Sequence, residues 1–273
     1  CNGLTSCDLI ATAFYAHSTD LLIRAGQVLG EDMTEYERLY RGILKAYRMR
    51  FFPDSRISAQ IFETQTSYVL TLAFGLCSAE ERPVFSARLA QMIREKDNHM
   101  ATGFLGTAYL LHVLSDNGYT ALAYDLLLQE TPPSWLWSVR CGATTIWEHW
   151  NGQREDGSFW NPNMNSFNHY AYGAVFDWVI GAACGIASSA DAPGYRKILI
   201  APHPDARLRH ANATLDTAYG TVKSGWEYRN ESIIYTVWVP QGCQAQLRLP
   251  GGYNAVLTSG KYRFYEKAGD RHD

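Results

Sequence analysis

One carboxylate stands between two tryptophans in the segment GATTIWEHWNG, Gly142 to Gly152. Glu148 directly follows Trp147 and lies two residues before Trp150. Indole rings pack on the apolar C–H face of a pyranose, and apolar walls raise the pKa of a carboxyl group toward neutrality. The arrangement therefore favours a general base that works on a sugar. A surface glutamate on a loop, beside two core tryptophans, accounts for the same composition.

A histidine follows further along the chain, in the segment NSFNHYAYGA. Asn165 or Ser166 is a suitable N-cap for a helix that begins here, which predicts His169 in the first helical turn. The positive end of that helix would disfavour the imidazolium form. A neutral His169 could then donate a hydrogen bond to a sugar hydroxyl. A solvent-exposed histidine near a helix cap is the alternative.

A second carboxylate is needed if Glu148 takes part in glycoside hydrolysis, because that reaction uses an acid and a base. The choices in this chain are Glu155, Asp156, Asp97 and Asp177. Glu155 and Asp156 are followed by Gly157, a pattern that predicts an exposed turn. Asp177 falls within a predicted helix. Asp97 begins the Gly-rich turn DNHMATGFLGT, residues 97–107, which lacks the lysine of a phosphate loop. None of the four has a setting comparable to that of Glu148.

The composition argues against several classes of protein. The net charge is −3 over 273 residues and no basic stripe is present, which argues against a nucleic-acid partner. No apolar run reaches the roughly 18 residues that span a bilayer, which argues against a membrane partner. The six cysteines contain no C-x-x-C pair, so a zinc site is not expected. We expect neither a metal nor another cofactor.

The first two thirds of the chain predict helices, because apolar residues recur at helical spacing. Richly apolar helices alternate with amphipathic, more polar ones, as inner and outer helices of a two-layer ring would, although periodicity alone does not exclude a simple bundle. The predicted helices are 7–29, 35–52, 64–76, 79–96, 105–115, 119–129 and 168–186.

The sequence changes character between Ser188 and Gly194, where SSADAPG predicts a linker. Short runs rich in Val, Ile, Thr, Tyr and Trp follow, separated by Gly and Pro, as is typical of a small antiparallel sandwich. We therefore predict two domains, residues 1–190 and 191–273. The predicted strands are 197–201, 211–217, 220–227, 232–239, 244–249, 255–259 and 262–265.

The segments GATTIWEHWNG and NSFNHYAYGAVFDWVIG together strongly resemble the end of the catalytic domain of α-L-rhamnosidases of glycoside hydrolase family 78. The resemblance extends upstream through QTSYVLTLAFGL and downstream through KILIAPHPD. It implies a mainly α protein with a β domain, in which part of an (α/α)6 barrel precedes an antiparallel β-sandwich. It also implies hydrolysis of terminal α-L-rhamnosides with inversion, with Glu148 as general base. The residues expected to contact substrate are His169, Trp150, Trp147 and Phe104.

The chain departs from the family pattern in one respect. The acidic motif that supplies the general acid is not found in residues 1–60, and about eight helices are predicted where a full barrel has twelve. One interpretation is part of an inverting rhamnosidase whose acid lies outside this chain. Its partners would be a rhamnose-containing glycoside and the missing N-terminal half of the barrel or another chain. The alternatives are a non-catalytic remnant that binds rhamnosides and a purely structural domain, and the sequence does not indicate where the protein resides.

Overall fold

The structure, a computed structural model, describes residues 4–163, 166–189 and 192–268. The chain divides into two compact units, Cys1–Ala174 and Val175–Asp273. The domain boundary predicted from the sequence falls on residues 190 and 191, which lie outside the described residues, and it stays a prediction. In the described part of the chain, no helix is both long and apolar enough to cross a membrane.

The first unit is a set of helical hairpins in two layers. Helices α1 and α2 pack together, as do α3 and α4 and then α5 and α6, while α3 also packs on α1 and α5. All of α3 except its last residue is buried, whereas α2 buries only Ile43, Tyr47 and Phe51. This layering confirms the prediction of a partial (α/α)6 barrel. The helices are α1 Cys7–Leu29, α2 Thr34–Phe51, α3 Gln65–Ala73, α4 Glu81–Arg94, α5 Phe104–Asp116, α6 Thr120–Leu127 and α7 Trp135–Arg140.

Local signals fix where these helices begin and end. The Ser6 hydroxyl accepts from the Leu9 amide and caps α1, and Gly30 ends that helix in the left-handed conformation. Thr64 and Ser67 form a reciprocal capping box at the start of α3. Ser134 caps α7, a short helix that the periodicity did not predict because it holds only six residues.

The predicted helix 168–186 was wrong as one continuous helix. The chain forms a 3₁₀ turn at Ala171–Ala174, one α-helical turn (α8) at Val175–Trp178, a π turn at Val179–Ala183, and then a strand. Glycines at positions 173, 181 and 185 explain the difference, since each lowers helix propensity by about 1 kcal/mol relative to alanine.

The second unit contains two four-stranded sheets, with strand orders β1-β2-β6-β7 and β3-β4-β5-β8. The inward side chains of both sheets form one core that includes Ile200, Val222, Tyr235 and Leu247. The predicted sandwich is thus confirmed, and within it the pair β2–β6 is parallel while the other pairs are antiparallel. The strands are β1 Ile186–Ser188, β2 Lys197–Ile200, β3 His210–Thr217, β4 Gly220–Arg229, β5 Ser232–Val239, β6 Gln244–Arg248, β7 Asn254–Leu257 and β8 Gly260–Lys267.

Gly185 allows the chain to enter the first of these sheets. Its φ is 75°, and a Cβ at this position would lie 2.2 Å from the nitrogen of Pro202 and 2.3 Å from the carbonyl carbon of Ala201. The backbone of β1 can therefore approach the chain that leaves β2 only if residue 185 has no side chain.

We expect Gly185→Ala to destabilise the second unit by about 3 kcal/mol or more, because a left-handed backbone and a clash with rigid backbone atoms add together. The matched control is Gly242→Ala, whose φ is 77° but whose Cβ would meet nothing within 4 Å. That control isolates the conformational cost of about 1–2 kcal/mol. Urea unfolding followed by tryptophan fluorescence measures both, and equal losses for the two variants would contradict the clash.

Candidate active site

Two loop segments of the first unit pair with each other and carry the two residues that the sequence singled out. The Glu148 amide donates to the Ser166 carbonyl at 3.0 Å, and the His169 amide donates to the Ile146 carbonyl at 2.8 Å. The Thr145 hydroxyl donates to the carbonyl of Phe167. These bonds satisfy backbone groups that no helix or sheet satisfies here. They fix residues 145–148 against residues 166–169, so Glu148 and His169 lie on paired segments.

The Glu148 side chain is half-buried, and its carboxylate makes no hydrogen bond or ion pair with any described residue. Tyr172 and His149 are its electrostatic neighbours. Burial raises the pKa of the Tyr172 phenol to about 12, and the negative charge of Glu148 contributes to the same shift. The backbone of residue 148 is therefore fixed, while its carboxylate is not engaged by any described side chain and can accept a proton or a hydrogen bond.

Trp147 and Trp150, on either side of Glu148 in the sequence, belong to one buried aromatic wall. Only 7% of Trp147 and 6% of Trp150 is exposed, so neither presents an open ring face. Trp147 meets Phe167 edge to face with ring centroids 5.0 Å apart, and Trp150 stacks on Tyr172 at 3.7 Å. Their predicted contact with substrate stays a prediction, and the burial limits it to a ring edge.

Trp135 and Tyr172 complete this wall, and sequence reasoning did not assign them to the site. The Trp135 indole N–H donates to the Tyr172 carbonyl at 2.9 Å, and its ring meets Trp150 edge to face at 5.3 Å. The Trp150 indole N–H points to the buried Thr102 carbonyl at 3.5 Å. The sequence indicated an aromatic cluster through its five tryptophans between residues 135 and 160. It did not show which of these side chains pack together.

His169 stacks on Phe104 with ring centroids 4.8 Å apart and 12° between the planes, which brings together two of the predicted substrate-binding residues. The ring of Phe104 is 37% exposed. The His169 Nδ1 accepts from the Ala171 amide at 3.3 Å. Because Nδ1 is an acceptor, the neutral ring carries its proton on Nε2, which is then a hydrogen-bond donor.

The prediction that His169 lies in the first turn of a helix was wrong. The 3₁₀ turn begins at Ala171, and His169 precedes it. The His169 Nδ1 accepts a hydrogen bond from the Ala171 amide at the start of the turn. Ser166 is not the cap, because it lies five residues before the first residue of the turn, and Asn165 lies outside the described residues. The difference arises because residues 166–169 form hydrogen bonds with residues 145–148 and not with a following helix.

His149 is a further residue of this region. Its ring stacks on Trp160 at 3.8 Å, and its buried Nδ1 has no hydrogen-bond partner among the described residues. Burial lowers the pKa of its imidazole, so this side chain is neutral near pH 7 and adds no positive charge beside Glu148.

The other acids do not resemble a general acid. Asp97, Glu155 and Asp156 are exposed, and hydrogen bonds from Ser158 lower the pKa of Asp156. A general acid needs a raised pKa, which is the opposite shift. Asp177 belongs to the second unit. Across the described residues, no group of three or more His, Cys, Asp or Glu side chains is placed to hold a metal ion.

The helical unit has the fold of the six-hairpin glycosidase class. A family model described as the bacterial α-L-rhamnosidase 6 hairpin glycosidase domain matches residues 1–182. The model of the bacterial α-L-rhamnosidase C-terminal domain matches residues 185–264. The chain belongs to the bacterial α-L-rhamnosidase family.

Relatives and solved structures agree with this assignment. The chain is 45% identical over 250 residues to an α-L-rhamnosidase of Formosa agariphila, covering 91% of this chain and 27% of that protein. The structure of the Streptomyces avermitilis α-L-rhamnosidase complexed with L-rhamnose is 36% identical, with a TM-score of 0.89, 97% of this chain covered and 28% of that one. The α-L-rhamnosidase of Aspergillus terreus is 32% identical, with a TM-score of 0.90 and coverage of 97% and 31%. The chain thus spans less than a third of the length of these proteins.

The segment pairing gives a prediction for Thr145. We expect Thr145→Val to lower the free energy of unfolding by about 0.5–1.5 kcal/mol, because it removes the hydroxyl that donates to Phe167. Thr144→Val is the matched control, since Thr144 is also exposed and its side chain makes no hydrogen bond with a described residue. Chemical denaturation of both variants checks this, and equal stability of the two would show that the bond contributes nothing.

Proposed function

We propose that this chain carries the general base of an α-L-rhamnosidase that hydrolyses terminal α-L-rhamnosides with inversion, and that Glu148 is that base. The observation that carries the proposal is the Glu148 carboxylate. Its backbone is fixed by a hydrogen bond to Ser166, it has no hydrogen-bond or ion-pair partner among the described residues, and it lies next in sequence to the buried Trp147. Membership of the family supports the choice of substrate.

In the proposed reaction Glu148 removes a proton from a water molecule. The water oxygen bonds to the anomeric carbon on the face opposite the leaving group as the glycosidic bond breaks. The leaving oxygen takes its proton from a general acid outside this chain. Carboxyl pairs of inverting enzymes are roughly 6.5–9.5 Å apart, which leaves room for the water between the base and the sugar.

His169 and Phe104 are proposed to hold the sugar. The His169 Nε2–H is a donor suited to a rhamnose hydroxyl, and stacking on Phe104 fixes the plane of the imidazole ring. The partly exposed Phe104 ring can pack on the apolar C–H groups of the sugar. Trp147 and Trp150 are proposed to act from behind Glu148 and to contact the sugar only through their edges.

The rest of the barrel is proposed to come from protein beyond this chain, either the N-terminal half of the same polypeptide or another chain. The relatives are more than three times as long as the matched region, which covers 27% of one and 24% of another. The first hairpin also leaves several apolar side chains exposed, as a surface awaiting further helices would. These are Leu21, Leu22, Val28, Leu29, Tyr36 and Leu39.

The alternative function is binding of rhamnosides without hydrolysis. A protein without a general acid would bind rhamnosides without releasing rhamnose. Among the described residues no second carboxylate near Glu148 is suited to be the acid, which favours this alternative for the chain by itself. Release of rhamnose from an aryl α-L-rhamnoside by the full-length protein separates hydrolysis from binding alone.

We expect Glu148→Gln to reduce rhamnoside turnover by the full-length protein about 10²–10⁴-fold or more, because an amide cannot accept a proton from water. The fold should be retained, since the backbone amide and not the carboxylate joins residue 148 to Ser166. Glu155→Gln, in an exposed turn, is the control and should retain activity. Turnover near that of the unchanged protein in Glu148→Gln would remove Glu148 from the mechanism.

We expect His169→Ala to weaken the binding of L-rhamnose by about two- to tenfold, the effect of one lost hydrogen bond. His169→Phe should weaken binding to a similar degree, because it can keep the stacking on Phe104 but has no Nε2–H. Isothermal titration calorimetry measures both affinities. An unchanged affinity in His169→Phe would mean that the ring stacking, and not the donor, is what matters.

A further inference from the structure

The outward face of the sheet β3-β4-β5-β8 carries ordered cross-strand rows of side chains. One row is Lys223, Trp238 and Lys261, and the next is Asn212, Gly225, Thr236 and Arg263. A third row is His210, Glu227, Ile234 and Tyr265. These residues alternate with the buried ones, so they point away from the core of the sandwich.

The middle row is a groove because residue 225 has no side chain. A Cβ on Gly225 would lie 2.8 Å from the Cβ of Asn212 and 2.9 Å from the Ala211 carbonyl oxygen, so the adjacent strand approaches too closely for a larger residue. The groove has a volume of about 360 Å³ and is lined by Asn212, Thr236 and Arg263 among others. It crosses four strands, about 14 Å at three interstrand spacings.

Positive charge is concentrated on this face of a chain whose net charge is −3. The ammonium groups of Lys223 and Lys261 lie 5.0 and 4.3 Å from the centroid of the Trp238 ring, which holds both cations in the cross-strand row beside the groove. Arg263 stands at the end of the groove. None of these three cations forms an ion pair with a described residue.

The two acids of the same face are already engaged. Glu227 pairs with Arg229 at 2.9 Å, and the Asp216 carboxylate accepts from Thr221 at 2.7 Å. Among the described residues of this face, three cations without an ion pair therefore outnumber the one carboxylate without an ion pair, Asp216, and the remaining charge is positive. Beside it stand neutral groups that suit hydroxyls, the Asn212 amide and the Thr236 hydroxyl, and the Tyr265 ring, which is 64% exposed.

We propose that this groove is a second carbohydrate site, separate from Glu148, which binds an oligosaccharide that contains uronic acids. The fork of the Arg263 guanidinium matches a carboxylate in two hydrogen bonds, and Lys223 and Lys261 supply further positive charge. Asn212 and Thr236 hydrogen-bond sugar hydroxyls, and the exposed Tyr265 ring offers an apolar surface to a sugar ring. The site holds a polymeric substrate and performs no chemistry.

The test measures binding of a galacturonic acid tetrasaccharide to the full-length protein by calorimetry, with a galactose tetrasaccharide as the neutral probe. The acidic probe should bind, more weakly at high salt, and the neutral one much more weakly. Arg263→Gln should weaken binding of the acidic probe about tenfold or more, and Arg263→Lys less, because lysine keeps the charge without the fork. Thr236→Glu, at an exposed strand position, should also weaken it, by repulsion.

Arg248→Gln is the matched control. It removes the same charge from an exposed position on the other sheet, and binding should be unchanged. Circular dichroism of each variant establishes that it is folded. The proposal is overturned if the acidic probe does not bind, if Arg248→Gln weakens it as much as Arg263→Gln, or if the neutral probe binds equally well. Equal binding of a DNA oligonucleotide, equally reduced in Arg263→Gln, would also overturn it in favour of a general polyanion surface.

Discussion

The candidate site depends on backbone hydrogen bonds between two segments that are distant in sequence. Neither segment is a regular strand, and yet the amide of Glu148 and the amide of His169 each find a carbonyl on the opposite segment. Backbone bonds of this kind do not involve the side chains that face a ligand. Glu148 and His169 are thus fixed in position while their side chains keep their hydrogen-bonding capacity, as a preorganised site requires.

The aromatic wall supports this pairing from behind. Tyr172 joins its parts, because its ring stacks on Trp150 and its carbonyl accepts from the Trp135 indole. Trp135 lies on α7, and the Trp150 indole N–H reaches a carbonyl just before α5. The loops that carry Glu148 and His169 are therefore attached to helices of the first unit by buried aromatic contacts, which protein interiors make rigid.

Much of the fold could be predicted from the sequence, since it follows from local pattern. Six long helices and seven of the strands were located to within a few residues, because apolar periodicity and Gly or Pro breaks are properties of neighbouring residues. The predicted helix 168–186 was wrong because the same local pattern showed only its apolar character. Three glycines and the hydrogen bonding of residues 166–169 to a distant segment interrupt that helix. Local pattern indicated that Trp147 and Trp150 were near the site but not that both are buried. Trp150 packs on Tyr172 and Trp135, and Trp147 packs on Phe167, none of which is a neighbour in sequence.

The acidic residues of the first unit differ in whether their carboxylates have hydrogen-bond partners. Glu63 receives two hydrogen bonds from Arg88 at 2.6 and 3.0 Å, and these lower the pKa of its carboxyl group. Burial alone would raise the pKa of Glu81, but bonds from Ser55, Ser78 and Arg48 more than offset it. Such acids are partnered because a carboxylate removed from water without a partner costs free energy. Glu148 is half-buried and has no such partner among the described residues. No bond to a described residue accounts for a carboxylate at this position, whereas the proposed role as general base does.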